Sequence, residues 1–318
     1  MKKISGIAGA FLAVTLLLAG CGRDRLSVSD QHLKADGLAV TVKGETNQDH
    51  VTYQIDDGNK KTVKVKQSAF TVMVPVQTKK QTVHLTAGSQ KETVTVGKVK
   101  ALGKYAAIKQ SYDQGLVMTH LSSKDQQTLA ALGKKGQQLK KQSQLVQQKV
   151  AAAKKALAQG DSTAAVELQK QATAGQKLQQ QAAALQQQQA ALQPKLAQAK
   201  KAVKGDQLPN SAQAGIHNLV DQQDFLLRAN VKGDQVNALV LAVPVKAIKD
   251  KAQAKTFFTK FALISSSVGA DPQAVMKQFK KQSDSKQSTK TTAKTIHSNG
   301  VAFSIGISSD RLYIYLNK

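Results

Sequence analysis

Between residues 122 and 204 the seam-forming residues recur at alternating intervals of four and three, and that rhythm leaves few folds open to this part of the chain. Leu139, Ser143, Val146, Val150, Ala153 and Leu157 follow it in a first run, and Leu178, Ala182, Leu185, Gln189, Leu192, Leu196, Ala199 and Val203 in a second. A mean interval near 3.5 draws one stripe along an α-helix and asks for a second helix to cover it. Between the runs, Gln159, Gly160, Asp161, Ser162 and Thr163 supply a glycine stop and fresh N-cap residues. The pattern therefore predicts an antiparallel helical hairpin over 122-204 with a coiled-coil-like seam. Ser123 and Gln126 have capping-box spacing at its start. Roughly 36 residues at 1.5 Å each make an arm about 54 Å long. The seam is rich in alanine, Gly133 and Gly136 each cost about 1 kcal/mol relative to alanine, and Pro194 is expected to kink or break the second helix. The hairpin is a marginal coiled coil.

Folded sequence flanks it on both sides. Over residues 26-99, short runs alternate in polarity between turn residues: Leu38 to Lys43, His50 to Ile55, Thr62 to Lys66, Phe70 to Pro75, Thr82 to Thr86 and Glu92 to Val96. Six or seven short strands in so little chain predict a small β-sandwich. Residues 101-121 read as a helix with Tyr105, Ile108, Tyr112, Leu116 and Val117 on one face, although Gly115 weakens the pattern. Beyond Pro209, two strand runs separated by Lys232, Gly233 and Asp234 form a hairpin ending at Pro244. A helix over Lys246 to Ser265, a shorter one opened by Asp271 and Pro272, a polar linker from Ser283 to Thr292 and two final strands complete residues 205-318. The expectation is an α+β domain, an antiparallel sheet with a helix pair on one face. The fold class as a whole is thus multidomain, mixing α and β. Tyr105 and Tyr112 packed with Phe257 and Phe261 would make the hairpin an insertion into one domain rather than a free strut.

At the N-terminus, Lys2 and Lys3 precede an apolar run from Ile4 to Leu18, which ends in Ala19 and Gly20 before Cys21. This is the layout of a secretory signal peptide over 1-20, and the run is too short for a permanent transmembrane helix. Leu18, Ala19, Gly20 and Cys21 resemble the lipobox of bacterial lipoproteins of the Gram-positive type. The resemblance implies that Cys21 carries a covalent diacylglycerol, that 21-25 is a lipidated tether, and that the protein sits on the extracytoplasmic face of the cell membrane. Two acyl chains anchor stably where one does not. Cys21 is the only cysteine, so no intrachain disulfide can form. The strand order over 26-99, with Asp56, Asp57, Gly58 and Asn59 as a tight turn, resembles the bacterial Ig-like domains that follow the anchor in Gram-positive surface proteins. That likeness implies a spacer or adhesive module.

A formal charge of +26 bears directly on the choice of partners. Residues 101-204 hold sixteen basic and four acidic residues, so nearly half of the net charge is gathered there. Only Arg23, Arg25, Arg228 and Arg311 are arginine, tryptophan is absent and aromatics are scarce, which argues against nucleic acid as a partner. The lysine pairs Lys134 and Lys135, Lys140 and Lys141, Lys154 and Lys155, and Lys200 and Lys201 are the candidate contacts for an anionic envelope polymer or an acidic protein. An exposed seam would favour self-association.

Patterns that carry chemistry are sparse. The histidines at 32, 50, 84, 120, 217 and 297 lack metal-ligand spacing, and neither a metal nor a diffusible cofactor is expected. Ser283 to Lys286 matches a Ser-x-x-Lys pattern but sits in the polar linker, without the partner motifs or rigid elbow an activated serine needs. Asp56 and Asp57 are better explained by turn geometry than by acid/base work. No phosphate-cradling glycine loop and no Gly-x-Ser-x-Gly occurs. The expectation is a non-enzymatic, lipid-anchored surface protein, an interaction or spacer protein. The alternative is an envelope small-ligand binder or enzyme in the C-terminal domain, with a pocket near Ser265 to Gly269.

Overall fold

The structure, a computed structural model, describes residues 24–284 and 294–318, with the side chains of 283 and 284 excepted. The signal segment, Leu18, Ala19, Gly20, Cys21 and most of the Ser283 to Lys286 motif therefore lie outside the described residues. The chain divides into two compact units. Both are built on β-sheet, and the second also carries all of the described helix, including one long helical pair.

The first unit comprises the described residues through Leu33, Thr41–Val74 and Gln81–Val96. Its strands are β1 (Leu26–Val28), β2 (His32–Leu33), β3 (Ala39–Thr46), β4 (His50–Ile55), β5 (Lys61–Lys64), β6 (Ala69–Pro75), β7 (Gln81–Ala87) and β8 (Gln90–Val96). One sheet has the order β1-β3-β6 and the other β2-β8-β7-β4-β5, with β2 joining β8 in parallel. Alternation in the sequence becomes alternation in burial: Phe70, Val72 and Val74 are buried while Met73 between them is 66% exposed. Val83, Leu85, Val94 and Val96 are buried in the same way from the second sheet. A sheet with one apolar face needs a covering layer, and strands of both sheets bury alternate side chains in this way.

The second unit comprises Lys34–Val40, Pro75–Lys80 and Gly97–Lys318. Two short segments of the stretch expected as one β unit, 26-99, and its last three residues thus belong to it. Its sheet combines β9 (Gly103–Lys104), β10 (Gly215–Asp221), β11 (Leu226–Lys232), β12 (Gln235–Pro244), β13 (Ile296–Ser298), β14 (Val301–Ile307) and β15 (Arg311–Asn317). The order is β10-β11-β12-β15-β14-β13, with β9 beside the start of β12, and every pairing is antiparallel. The helices are α1 (Tyr105–Thr119), α2 (Ser123–Ala158), α3 (Ala164–Ala202), α4 (Val245–Lys249), α5 (Lys251–Ser267) and α6 (Pro272–Asp284).

One core joins Tyr105, Ile108, Tyr112, Leu116 and Val117 of α1 to Phe257, Phe261 and Ile264 of α5 and to the sheet residues Leu227, Leu241, Phe303 and Leu316. Gly115 has a packing reason: a Cβ there would lie 2.5 Å from Leu263 Cδ2 of α5. Because α1 precedes α2 and the sheet follows α3, the hairpin leaves and re-enters a single core. The helix expected over 246-265 is split at Asp250, whose carboxylate accepts hydrogen bonds from the amides of Ala252 and Gln253 and so caps a new helix. On the other sheet face, Asn230 Nδ2 donates to the carbonyls of Leu38 and Val76, pinning the two short N-terminal segments. Among the described residues, no helix is long and apolar enough to cross a membrane.

Candidate functional site

The hairpin starts one residue earlier than its capping box suggests. Ser122, not Ser123, is the N-cap: its Oγ accepts from the Asp125 amide and donates to the Asp125 carboxylate at 2.7 Å. Gln126 reaches back to the carbonyls of Met118 and Leu121 rather than to an amide, tying α2 to the end of α1. From there Asp125, Leu129, Leu132, Gly136, Leu139, Ser143, Val146, Val150 and Ala153 turn inward at intervals of four and three. Facing them, every seventh residue of α3 does the same: Ala164, Gln171, Leu178, Leu185, Leu192 and Ala199.

Three expectations about this seam are corrected. Leu157 is 43% exposed, because near the turn Ala156 takes the inward position. Ala182 and Gln189 face solvent. Pro194 does not break α3, which runs unbroken from Ala164 to Ala202. The carbonyl that loses its donor there is that of Ala190, an exposed residue whose oxygen water can satisfy, so the lost bond falls on the cheap side of the helix.

All eight lysines singled out from the sequence are exposed, and none forms an ion pair with a carboxylate among the described residues. They are not gathered in one patch. Lys134, Lys141 and Lys155 stand opposite the seam of α2, with Lys135, Lys140 and Lys154 on its flanks, making a ridge that spans about 32 Å at 1.5 Å per residue. Lys200 and Lys201 sit apart, in the last turn of α3, where cations complement the helix dipole. The two helices differ in kind. Along α2 eight lysines face one acid, Asp125, whereas α3 carries no charge at all from Leu178 to Pro194.

The root of the hairpin is held by polar contacts that sequence reasoning missed. Lys195 of α3 reaches the Asp125 carboxylate at 2.6 Å, and that bond, with the one from Ser122, holds the Asp125 carboxyl below the usual range. Just past α3, Asp206 accepts from Lys260 Nζ at 2.8 Å and from Gln222 Nε2 at 2.9 Å. Burial pushes its carboxyl up, but these hydrogen bonds and the nearby charges of Lys260 and His120 outweigh it and the net shift is downward. Lys260 is 6% exposed, also donates to Gln222 Oε1 at 2.9 Å, and lies 4.9 Å from the centre of the Phe225 ring. Asp113 of α1 accepts from Lys109 and from the Leu208 amide, and the Tyr105 hydroxyl donates to the Pro209 carbonyl at 2.6 Å. Desolvation, and then the charge of Asp113, push the Tyr105 phenol up to about 12; burial raises Tyr112 as well. The only signal available beforehand was the symmetric placement of Asp125 and Lys195 about the turn.

Two grooves flank this root. One is lined by Val117, Met118, Leu129 and Leu196, with Asp113, Gln114, Lys200 and Gln207 around it; the other runs past His120, Ser122, Asp125 and Lys195. Neither lies at Ser265 to Gly269. Ser265 is fully buried with its hydroxyl unpartnered among the described residues, out of a substrate's reach. Among the described residues no group of three His, Cys, Asp or Glu could hold a metal ion. No protein-family model matches the chain, and no curated protein sequence is similar to it.

Proposed function

We propose that this is a non-enzymatic, lipid-anchored protein of the extracytoplasmic membrane face, whose lysine-bearing hairpin holds an anionic envelope polymer. One observation carries the reading: the ridge on α2 presents lysines over about 32 Å with no carboxylate to neutralise them. At physiological salt each charge is felt over about 8 Å, so a single flat surface touching one point of the arm would meet only a few of them. A flexible chain of negative charges lying along α2 meets them all. Alternating lysine pairs set the spacing, and the uncharged length of α3 leaves the polymer one helix to follow.

In this reading the lipobox Leu18, Ala19, Gly20 and Cys21 supplies the anchor, and the first unit is an Ig-like spacer, supported by its two sheets and their alternating burial. The test uses the full chain sedimented with purified envelope at low and high salt. Because the acyl anchor would hold the chain to membrane at any salt, Cys21→Ser is used throughout; this anchor-free chain is expected to pellet at low salt and to be released at high salt. Adding the charge reversal K134E/K135E/K140E/K141E is expected to leave it in the supernatant at both. Equal pelleting of the anchor-free chains with and without the reversal would sink the proposal.

A further inference from the structure

Leu129 and Leu196 both belong to the hairpin seam, yet both are only partly buried. Both also pack against the core that includes α1, and Val117 and Met118 of α1 line the same groove. The result is a groove of about 440 Å³ whose walls are these four apolar side chains. Volumes of that order suit small ligands. Its charged rim is unequal. The Asp113 carboxylate is already engaged by Lys109 and by the Leu208 amide, so its charge is spoken for. Lys200 is exposed and has no carboxylate partner among the described residues, and Lys201 and Lys204 follow it. Gln114 and Gln207 add carboxamides that can donate hydrogen bonds.

An apolar trough with an unpaired lysine among its lining residues is complementary to one kind of molecule. We infer that this groove binds a single-chain anionic amphiphile, its alkyl chain against Val117, Met118, Leu129 and Leu196 and its head at Lys200. Covering what remains exposed of the leucines and Met118 drives the chain in, and the lysine selects the head. The inference stands apart from polymer binding, because the ligand is a monomer with one charged head and the site lies at the root rather than along the α2 ridge.

Met118 provides a local reporter, since the chain has only four methionines, Met1, Met73, Met118 and Met276. The full chain, carried in nanodiscs of zwitterionic lipid, is labelled at its methionine methyl groups and titrated by NMR with dodecyl phosphate below its micellar concentration. The Met118 resonance is expected to shift saturably while that of exposed Met73 stays in place. Lys200→Glu should weaken the apparent affinity by about tenfold or more, the loss of one charge-assisted hydrogen bond. Dodecyl maltoside, with the same chain and no charge, should bind as weakly as that variant does, and inorganic phosphate should not move Met118. Equal affinity for the maltoside, or full affinity in Lys200→Glu, would remove the anion from the proposal and overturn it. Parallel, unsaturable shifts of Met73 and Met118 would mean partition into the lipid, and a Met118 shift that follows protein concentration alone would give the groove to a second copy; either result refutes it.

Discussion

Phe257, Phe261 and Phe303 meet between the sheet and α5 with neighbouring ring centroids 5.9 and 6.5 Å apart, whereas the hairpin closes on Leu132, Leu185 and Leu192 and, along the rest of its seam, on partly buried leucine and valine, alanine and polar side chains. In the sheet body a large ring is surrounded on all sides. In the hairpin each leucine touches one facing helix and has solvent behind it. The difference shows that one core need not hold everything attached to it: the body anchors the hairpin through polar clamps at its root, while the arm beyond depends on a thin seam. The arm is then free to carry charge that a tight core could not tolerate.

The heaviest loss should come from the body. Phe261→Ala removes a ring that is fully buried and packed against Phe257, Phe279 and Phe303. It is expected to cost about 4 kcal/mol in denaturant unfolding. A loss under about 1 kcal/mol would mean that the body is not the stable partner.

The clamp between body and arm comes next. Lys260→Met keeps the volume and removes the cation, leaving Asp206 with Gln222 Nε2 as its remaining side-chain donor and Gln222 Oε1 without one. Since the Asp206 side chain is 31% exposed, water recovers part of the loss, and about 2 kcal/mol is expected rather than the larger cost of a fully buried pair. The sign with pH follows from Asp206, whose carboxyl lies below its ordinary value in the folded chain. Its contribution is present above the unfolded carboxylate pKa of about 3.9 and is lost as pH falls through the folded one. Unfolding measured at neutral and at acid pH should therefore show the difference between wild type and Asp206→Asn shrinking in acid.

Leu185→Ala probes the arm itself. Leu185 is 8% exposed, lies beside Gly136 and shares a small cluster with Leu132 and Leu192, so about 1 to 2 kcal/mol is expected, at or below the lower end for leucine truncation. Hydrogen exchange should quicken through α2 and α3 and hold steady in β11, β12 and β15. Uniform quickening would show arm and body to be one cooperative unit.

Much of this division was legible in the sequence, and what was hidden has physical causes. Intervals of four and three found both long helices, and the five residues expected on one face of α1 are its five buried residues. Alternation found the main strands of the first unit. It could not find β9 or β13, two and three residues long, which exist only because a neighbouring strand offers an edge. The break at Asp250 was hidden because a capping side chain competes with helix propagation, and composition alone does not say which wins. Leu157 left the seam because a heptad rule assumes two continuous partners, and near the turn the partner ends. The Lys260, Asp206, Gln222 and Phe225 cluster joins residues far apart in sequence, and nothing local announces such a meeting. The lysines were legible as charge but not as a ridge, since that required knowing which way α2 faces.

The mildest substitutions act with the opposite sign. Gly133 lies in the exposed interior of α2, and a Cβ built there meets nothing within 4 Å. At Gly136 the nearest atom, Leu185 Cδ2, would be 3.6 Å away, an ordinary contact. Neither glycine is required by a left-handed backbone or by a close approach, in contrast to Gly115 of α1. Gly133→Ala is therefore expected to stabilise the arm by somewhat under 1 kcal/mol through the unfolded chain's lost freedom, and Gly136→Ala by a similar amount plus a small gain in packing. If the arm is thermodynamically separate from the body, hydrogen exchange should slow in α2 and α3 while the unfolding midpoint of the sheet stays fixed. If the midpoint of the whole unit rises instead, the seam contributes to the body's stability, and the contrast between a dense core and a dependent arm fails.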